Sequence, residues 1–309
     1  MEADFVHWLR ERLPPHPLLK LGIGDDAALL ATAGRNDVVV TTDLIADGID
    51  FDLKMHQPRR VGHKALGINL SDLAAMAAQP LAAVIALNLP RHDGDRLAKE
   101  LYEGMLPLAE QFHVAIAGGD TNSWDGPLVI SVTAIGEVSA NGLLCRRGAQ
   151  PGDRIIVTGC FGGSILGRHL DVQPRIREAQ LLHQRHALHA GIDCSDGLTL
   201  DLWRLCEESR CGAVIEESRI PIAQAAEELS EQRDDGVLAV EHALSDGEDF
   251  ELILAVPPKN AEQMLVDQPL NGVTLTDIGE FIAEQHLFQR EASGAKRLLE
   301  PRGYQHQFS

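Results

Sequence analysis

Apolar positions in the first half of the chain alternate between helical spacing and continuous β-branched runs. Phe5, Trp8 and Leu9 fall on one face of a predicted helix over residues 4–13. By the same test, the following elements come in order: a strand over 37–42, a helix over 59–78, a strand over 81–89, a helix over 95–112, and strands over 114–117 and 128–138. A turn at residues 118–122 separates the last two strands. The order predicts a mixed β-sheet with two helices covering one face.

A polar Gly/Pro segment at residues 148–153 marks the middle of the chain. Beyond it the pattern is again α/β: a strand over 154–158, helices near 163–170, 175–190, 198–209 and 222–232, and strands over 213–216, 250–256 and 273–279. Because 309 residues exceed what one core usually supports, we expect two α/β domains, residues 1–145 and 146–309.

Composition narrows the class of protein. Apolar residues make up 44% and charged residues 24%, as in globular proteins, and the net charge of −19 argues against nucleic acid or an anionic membrane as partner. The five cysteines lack zinc-ligand spacing and are expected to be reduced thiols. The acidic start has no signal-peptide pattern, and Asp72, Gln79 and Pro80 interrupt the most apolar stretch. We therefore expect a soluble cytoplasmic protein.

Acidic residues recur beside glycine or hydroxyl residues at the ends of apolar segments, where lysine is nearly absent. Solvated acids usually alternate with lysines on polar helix faces, so this placement differs from ordinary surface charge. The pattern occurs in six segments: residues 22–27 (GIGDDA), 41–43 (TTD), 69–73 (NLSDL), 118–121 (GGDT), 193–197 (DCSDG) and 247–249 (GED).

If several of these acids converge, they need cations, since two like charges about 4 Å apart repel by roughly 4 kcal/mol at an effective dielectric near 20. Oxygen ligands without His or Cys favour hard ions, Mg²⁺ first, and Mg²⁺ commonly bridges carboxylates to phosphates. Each segment also has a structural interpretation: a turn at Asp26, or helix caps at Asp43 and Asp196. Asp72 inside an apolar helix is harder to explain, because an unpaired buried carboxylate is costly.

Other candidate motifs favour structural roles. The chain has no G-x-x-x-x-G-K-[ST] phosphate loop, and the glycines of residues 159–163 are spaced for a tight strand-to-helix turn more than for a dinucleotide site. His183, His186 and His189 have helical spacing, which favours a solvated helix face over a metal site.

Taken in order, the acidic segments resemble the thiamine-monophosphate kinase family, which shares a superfamily with aminoimidazole ribonucleotide synthetase, selenophosphate synthetase and a hydrogenase-maturation protein. The motifs are GIGDDAALL at 22–30, TTDLIADGIDF at 41–51, KALGINLSDLAAM at 64–76, GGDT at 118–121, RRGAQPGD at 146–153, GIDCSDGL at 191–198, LSDGEDFEL at 244–252 and GY at 303–304. The resemblance implies an ATP-dependent kinase that forms a homodimer through its N-terminal sheet and converts thiamine monophosphate to thiamine diphosphate.

The resemblance also implies roles for individual residues. Several Mg²⁺ ions are expected on Asp26, Thr41, Thr42, Asp43, Asp72, Asp120, Asp193 and Asp196, among which Asp43, Asp72, Asp120 and Asp196 would be catalytic. ATP is expected to contact Gly119, Asp120, Arg146 and Ser195, and Glu248 is expected on the acceptor side. Since the acceptor phosphate is already ionised near neutral pH, no general base is required.

Two positions depart from the family pattern on the acceptor side. Asp50 stands where the family usually has a histidine before Phe51, and Pro301 lies where a tryptophan often precedes Gly303-Tyr304. An acid at position 50 suits a cationic thiazolium. Two further hypotheses stay open at this stage: a related ATP-dependent enzyme with another acceptor, and a non-catalytic nucleotide-binding regulator.

Overall fold

The computed structural model describes residues 2–14, 16–32, 36–233, 236–291 and 294–306. The first half forms a six-stranded sheet in the order β1-β2-β3-β6-β4-β5, in which only β4 and β5 are parallel. Its elements are α1 Glu2–Arg12, β1 Leu19–Leu21, β2 Ala28–Leu30, β3 Val38–Ala46, α2 Pro58–Ala75, β4 Gln79–Pro90, α3 Gly94–Gln111, β5 Ala115–Trp124 and β6 Val129–Glu137.

Helices α2 and α3 pack on one face of this sheet and enclose its core. Alternate residues of β6 are buried beneath them, as period-two strand geometry requires. The opposite face carries exposed apolar side chains, including Leu44, Leu81 and Val84. The predicted mixed sheet with helices on one face is therefore confirmed.

The predicted turn at residues 118–122 is wrong, because these residues continue strand β5. Gly118 has a φ of 135°, and the β4–β5 register shifts between Ala83 and Val84, so the glycine forms a bulge within the strand. Helix α2 ends at Ala75, and Pro80 lies inside β4 instead of terminating the helix. Strands β1 and β2 were not predicted.

The second half forms a seven-stranded sheet in the order β13-β12-β9-β11-β7-β10-β8, in which only β9 and β12 are parallel. Its elements are β7 Arg154–Thr158, α4 Ile176–Arg185, β8 Ala190–Asp193, α5 Leu198–Ser209, β9 Gly212–Glu216, α6 Gln224–Gln232, α7 Ala239–Ser245, β10 Leu252–Val256, α8 Pro258–Asp267, β11 Leu275–Ile282, β12 Leu287–Arg290 and β13 Lys296–Leu298. Short 3-10 turns replace the predicted helix over 163–170.

Two apolar cores cover the faces of this second sheet. Helices α5 and α7 contribute to one core, and α4 and α8 contribute to the other. This arrangement confirms the α/β class. The boundary between residues 145 and 146 stays a prediction.

The histidine prediction fails because α4 ends at Arg185. His186 is buried in extended backbone, and the Nδ1 of His189 lies 2.8 Å from a carboxylate oxygen of Asp153. These histidines therefore do not share a solvated helix face. The predicted helix over 175–190 was too long, since residues 186–189 are not helical and Ala190 begins β8.

Helix α2 connects the two halves of the molecule. Arg60 donates hydrogen bonds to Asp171, and Ser71 donates one to Asp193. Within the part of the chain that the structure describes, no helix is both long and apolar enough to span a bilayer.

Candidate active site

Three predicted metal ligands converge where α2 meets the second sheet. Asp26 lies in the turn between β1 and β2, Asp72 lies on α2, and Asp193 ends β8. Each offers a carboxylate oxygen, and these oxygens all lie within 4.8 Å of one another. We call Asp26, Asp72 and Asp193 the acidic cluster. Asp26 and Asp72 are more than 40 residues apart in the sequence, and Asp72 and Asp193 are more than 100 apart, yet the fold places all three together.

Hydroxyl groups surround the acidic cluster. Thr41 Oγ1 donates to Asp72 Oδ2 at 2.5 Å, and Ser71 Oγ donates to Asp193 Oδ2 at 2.5 Å. Strand alternation places the buried Thr41 on the helix side of the sheet, and Asp43 is on the same side. Thr42 is exposed on the opposite face and bonds to strand β6.

The negative charge of the acidic cluster is only partly compensated. Desolvation, followed by repulsion from Asp43, Asp193 and Asp26, raises the pKa of Asp72 well above its usual range. Desolvation and Asp26 raise the pKa of Asp193 in the same direction. The pKa of Asp43 rises to about 6 through desolvation and the charges of Asp196 and Asp50. Sites that perturb several carboxyl pKa values together commonly bind ions or perform catalysis.

The donor set fits Mg²⁺. The acidic cluster, Thr41 and Ser71 offer carboxylate and hydroxyl oxygens, the ligand atoms that hard divalent cations prefer, and the spacing of the acidic cluster allows a shared ion. The raised pKa values mark a deficit of positive charge that such an ion would offset.

Arg146 lies against one side of the acidic cluster. Its Nη2 and Nε donate to the carboxylate of Asp26 at 2.6 and 3.1 Å. Its backbone N–H donates to Asp25, an acid that the sequence did not single out. Desolvation and the charge of Asp26 raise the pKa of Asp25 to about 7. The guanidinium is thus held at the edge of the site, where an anionic substrate could exchange for Asp26.

Asp196 and Ser195 lie in the loop between β8 and α5, beside the acidic cluster. Arg204 pairs with both Asp196 and Asp201, and Asp201 accepts the backbone N–H of Asp196 at 2.8 Å. The roles of Arg204 and Asp201 had no local sequence signal beyond their place on an amphipathic helix.

A C-terminal segment, residues 300–304, crosses this loop. The backbone N–H of Tyr304 donates to the carbonyl of Asp196 at 2.9 Å. A Cβ on Gly303 would lie 2.4 Å from that same carbonyl oxygen, so only glycine allows the crossing. Pro301 is exposed on this segment.

The predicted acceptor residues meet at a buried lysine. Lys64 Nζ donates to the backbone carbonyl of Asp50 at 2.9 Å and to Glu248 Oε1 at 2.5 Å. The Asp50 carboxylate instead accepts the backbone N–H of Ala46 at 2.7 Å and closes its own turn. Sequence reasoning did not select Lys64.

Gly119 and Asp120 are not brought to the acidic cluster within one chain. Both lie exposed on edge strand β5. Registered pairs place Asp120 beside Ala86, Ala86 beside Ser131, and Ser131 beside Leu44. Asp120 is therefore three strands, or roughly 14 Å, from β3.

The glycine turn at residues 159–163 has its backbone donors occupied. Gly162 N–H donates to Asp249 at 3.0 Å, and Gly163 N–H donates to Asp246 at 2.8 Å. Asp249 also pairs with Arg168. These bonds support the structural interpretation of the turn, and they show that part of the 244–252 motif organises the fold.

Two domain models of one protein family match this chain. Residues 24–138 match the N-terminal domain model of AIR synthase related proteins, and residues 128–290 match its C-terminal domain model. A thiamine-monophosphate kinase of Rhodopirellula baltica is 42% identical over 99% of this chain and 97% of its own length.

Solved structures agree with these matches. The structure of AaThiL complexed with AMPPCP and TMP has a TM-score of 0.81 at 26% identity and covers 99% of this chain and 96% of its own. The thiamine-monophosphate kinase of Stenotrophomonas maltophilia K279a has a TM-score of 0.72 at 32% identity, covering 93% and 94%. By sequence and by fold, the chain belongs to the AIR synthase related family and, within it, to the thiamine-monophosphate kinases.

Proposed function

We propose that this protein transfers the γ-phosphoryl group of ATP to the phosphate of thiamine monophosphate and produces thiamine diphosphate. The observation that carries the proposal is the acidic cluster, whose three carboxylates converge without lysine or histidine and lie beside Arg146. An all-oxygen site flanked by a guanidinium suits phosphate groups bound through Mg²⁺. The family membership supplies the substrate class.

The chain's own groups would act by orientation and charge. Arg146 can exchange Asp26 for an ATP phosphate, because its fork of donors suits either partner bidentately. Ser195 is placed in the loop that the C-terminal segment crosses, where it can contact the nucleotide. The acceptor phosphate attacks in line without a general base, so positioning supplies much of the catalysis.

Several Mg²⁺ ions would be held by the acidic cluster together with Thr41, Asp43 and Asp196. The Thr42 hydroxyl lies on the opposite face of the sheet and Asp120 lies on edge strand β5, so within one chain neither side chain reaches these ions. When bound, Mg²⁺ neutralises charge that develops on the transferred phosphoryl group. Asp43, Asp72 and Asp196 are the proposed catalytic acids on these grounds.

The acceptor is proposed to bind between Glu248, the turn at Asp50 and the C-terminal segment with Pro301. The neighbour AaThiL was solved with AMPPCP and TMP, which supports a site for a nucleoside triphosphate and a thiamine phosphate together. Asp50 differs from the usual histidine, but its carboxylate is engaged with Ala46, so its negative charge acts at a distance. A cationic thiazolium tolerates that charge.

We further propose that the protein acts as a cytoplasmic homodimer. The outer face of the first sheet exposes Leu44 at 64%, Leu81 at 40% and Val84 at 38%, an apolar surface that a second copy would cover. Ligands of one Mg²⁺ lie about 2.1 Å from the ion, so Asp120 is too far from Asp43 to share one within a chain. Dimerisation through this face would bring Asp120 of a second copy towards the site.

The test is production of thiamine diphosphate, followed by chromatography, from ATP, Mg²⁺ and thiamine monophosphate. We expect product with the unaltered chain and with Asp95→Asn, whose carboxylate is exposed on α3. Magnesium-dependent ATP binding without product would refute this acceptor. A panel of other phosphorylated and carboxylated acceptors would then test the related-enzyme hypothesis that Asp50 and Pro301 raise.

A further inference from the structure

Lys64 is a charged side chain with no solvent exposure, and it is the buried lysine among the residues that the structure describes. Burying an ammonium group is costly unless it is paired and hydrogen-bonded. Its partners are Asp50 and Glu248, which belong to different halves of the chain. The position is therefore occupied by lysine for a reason beyond core packing.

Of the two partners of Lys64, Glu248 has an unusual backbone conformation and a partly exposed side chain. Its backbone has a φ of 53°, in the left-handed region that non-glycine residues rarely adopt, and its N–H donates to the carbonyl of Ser195 at 2.6 Å. Its side chain is 34% exposed, so one carboxylate oxygen is held by Lys64 while the group stays partly open to solvent. Strained backbone at such a position commonly accompanies a functional constraint.

We infer that Lys64 is a positioning residue for the acceptor, which is anchored on the backbone carbonyl of Asp50 and fixes the Glu248 carboxylate in one orientation. If the proposed kinase function holds, Glu248 meets the positively charged part of thiamine monophosphate. Lys64 then holds the Glu248 carboxylate in place without touching the substrate. Desolvation raises the pKa of Glu248, whereas the charge and hydrogen bond of Lys64 oppose that rise. The lysine thus also favours the charged form of Glu248.

A simple connection between domains is the alternative role, and Arg60 provides a matched control for it. Arg60 lies one turn earlier on α2, and its guanidinium also crosses to the second half, with bonds of 2.7 and 2.9 Å to Asp171. It has no contact with Asp50 or Glu248. Arg60→Met therefore removes an interdomain ion pair and leaves the acceptor groups in place.

The kinetic test compares Lys64→Met with Arg60→Met. Loss of a charge-assisted hydrogen bond predicts that Lys64→Met raises the KM for thiamine monophosphate about tenfold, with kcat and the KM for ATP changed less than about threefold. Arg60→Met should leave all three constants near those of the unaltered enzyme. Equal KM changes in both variants, or none in Lys64→Met, would overturn the inference.

A double variant covers the case in which Lys64→Met leaves Glu248 unpaired and fails to fold. Lys64→Met/Glu248→Gln carries no unpaired buried charge, and it should match Glu248→Gln alone in the KM for thiamine monophosphate, because Lys64 acts through Glu248. A double variant that is clearly worse than Glu248→Gln would contradict this.

Hydrogen exchange provides a readout without substrate. Peptides covering residues 246–250 should exchange about tenfold faster in Lys64→Met than in the unaltered protein. If the double variant is used, its exchange should exceed that of Glu248→Gln by the same factor. Exchange of these peptides in Arg60→Met should be unchanged. Unchanged exchange in the Lys64 variants overturns the positioning role. If the unaltered enzyme makes no thiamine diphosphate, the proposed function fails separately, and exchange still decides the role of Lys64.

Discussion

The Asp72→Asn variant removes one charge from the acidic cluster and keeps the shape of the side chain. At 4.8 Å or less, each ionised pair in the cluster repels by at least about 3.5 kcal/mol at an effective dielectric of roughly 20. Asp72 has two such neighbours, but protonation already relieves part of the repulsion, as the raised pKa of Asp72 indicates. We therefore expect the variant to gain on the order of 1–2 kcal/mol in free energy of unfolding without Mg²⁺.

The local structure should survive this change. Thr41 donates its hydroxyl proton to Asp72, and the amide oxygen of asparagine accepts the same bond. Calorimetry at pH 8 with a chelator should show the variant melting higher than the unaltered protein, by a few degrees at roughly 2–4 °C per kcal/mol. Added Mg²⁺ should reverse the order, because ligand binding stabilises only the intact site. Thiamine diphosphate production should fall at least about a hundredfold.

Asp153→Asn is the matched control, since Asp153 is a buried acid with its own hydrogen-bond donors. Its carboxylate accepts the N–H of Gln150 at 2.8 Å and faces His189. Removing the negative charge weakens these bonds, which should lower stability by roughly 1–2 kcal/mol with or without Mg²⁺. The reasoning about the acidic cluster is refuted if Asp72→Asn behaves like Asp153→Asn, or if Mg²⁺ stabilises Asp72→Asn as strongly as the unaltered protein.

Three other expectations follow from the structure. Folding raises the pKa of Asp25 from 3.8 to about 7 and that of Asp43 from 3.8 to about 6. At pH values between the unfolded and folded pKa of each group, the folded protein therefore binds more protons than the unfolded chain. The stability contribution of these groups therefore falls as pH rises through that window, and calorimetry without metal should show a smaller decline in Asp43→Asn. Val84→Glu should convert the proposed dimer to a monomer in sedimentation, whereas Leu106→Glu on the far side of α3 should not; dimeric Val84→Glu would exclude this interface. Gly303→Ala should raise the KM for thiamine monophosphate about tenfold in steady-state assays, because its Cβ would displace the C-terminal segment; an unchanged KM would separate that segment from the acceptor.

Local pattern predicted the elements whose apolar spacing is uninterrupted. The bounds 198–209 were predicted for α5 and are observed, because its buried leucines recur at helical spacing. The pattern failed where one residue changes the backbone. Gly118 suggested a turn, yet its positive φ is absorbed by a bulge within β5, and sequence alone does not distinguish these outcomes.

The acidic cluster could be anticipated only in part. The small-residue context of Asp26, Asp72 and Asp193 marked them as unusual, but their convergence depends on packing between distant elements. Lys64 is the first residue of the KALGINLSDLAAM motif, but no local pattern predicted its burial, since an isolated lysine on a helix resembles a surface residue. Its burial follows from the turn at Asp50 and the loop at Glu248 closing over it.

Charge compensation separates the acids that hold the fold from those proposed to bind metal. Asp249 has Arg168 and a backbone donor, and Asp153 has its own donors, so neither requires an ion. The acidic cluster has one guanidinium, that of Arg146, for three carboxylates. When Arg146 turns to a phosphate, the cluster loses the one guanidinium that the described residues place against it, and its affinity for Mg²⁺ must rise. Nucleotide and metal binding should therefore reinforce one another, because each removes a charge imbalance that the other creates.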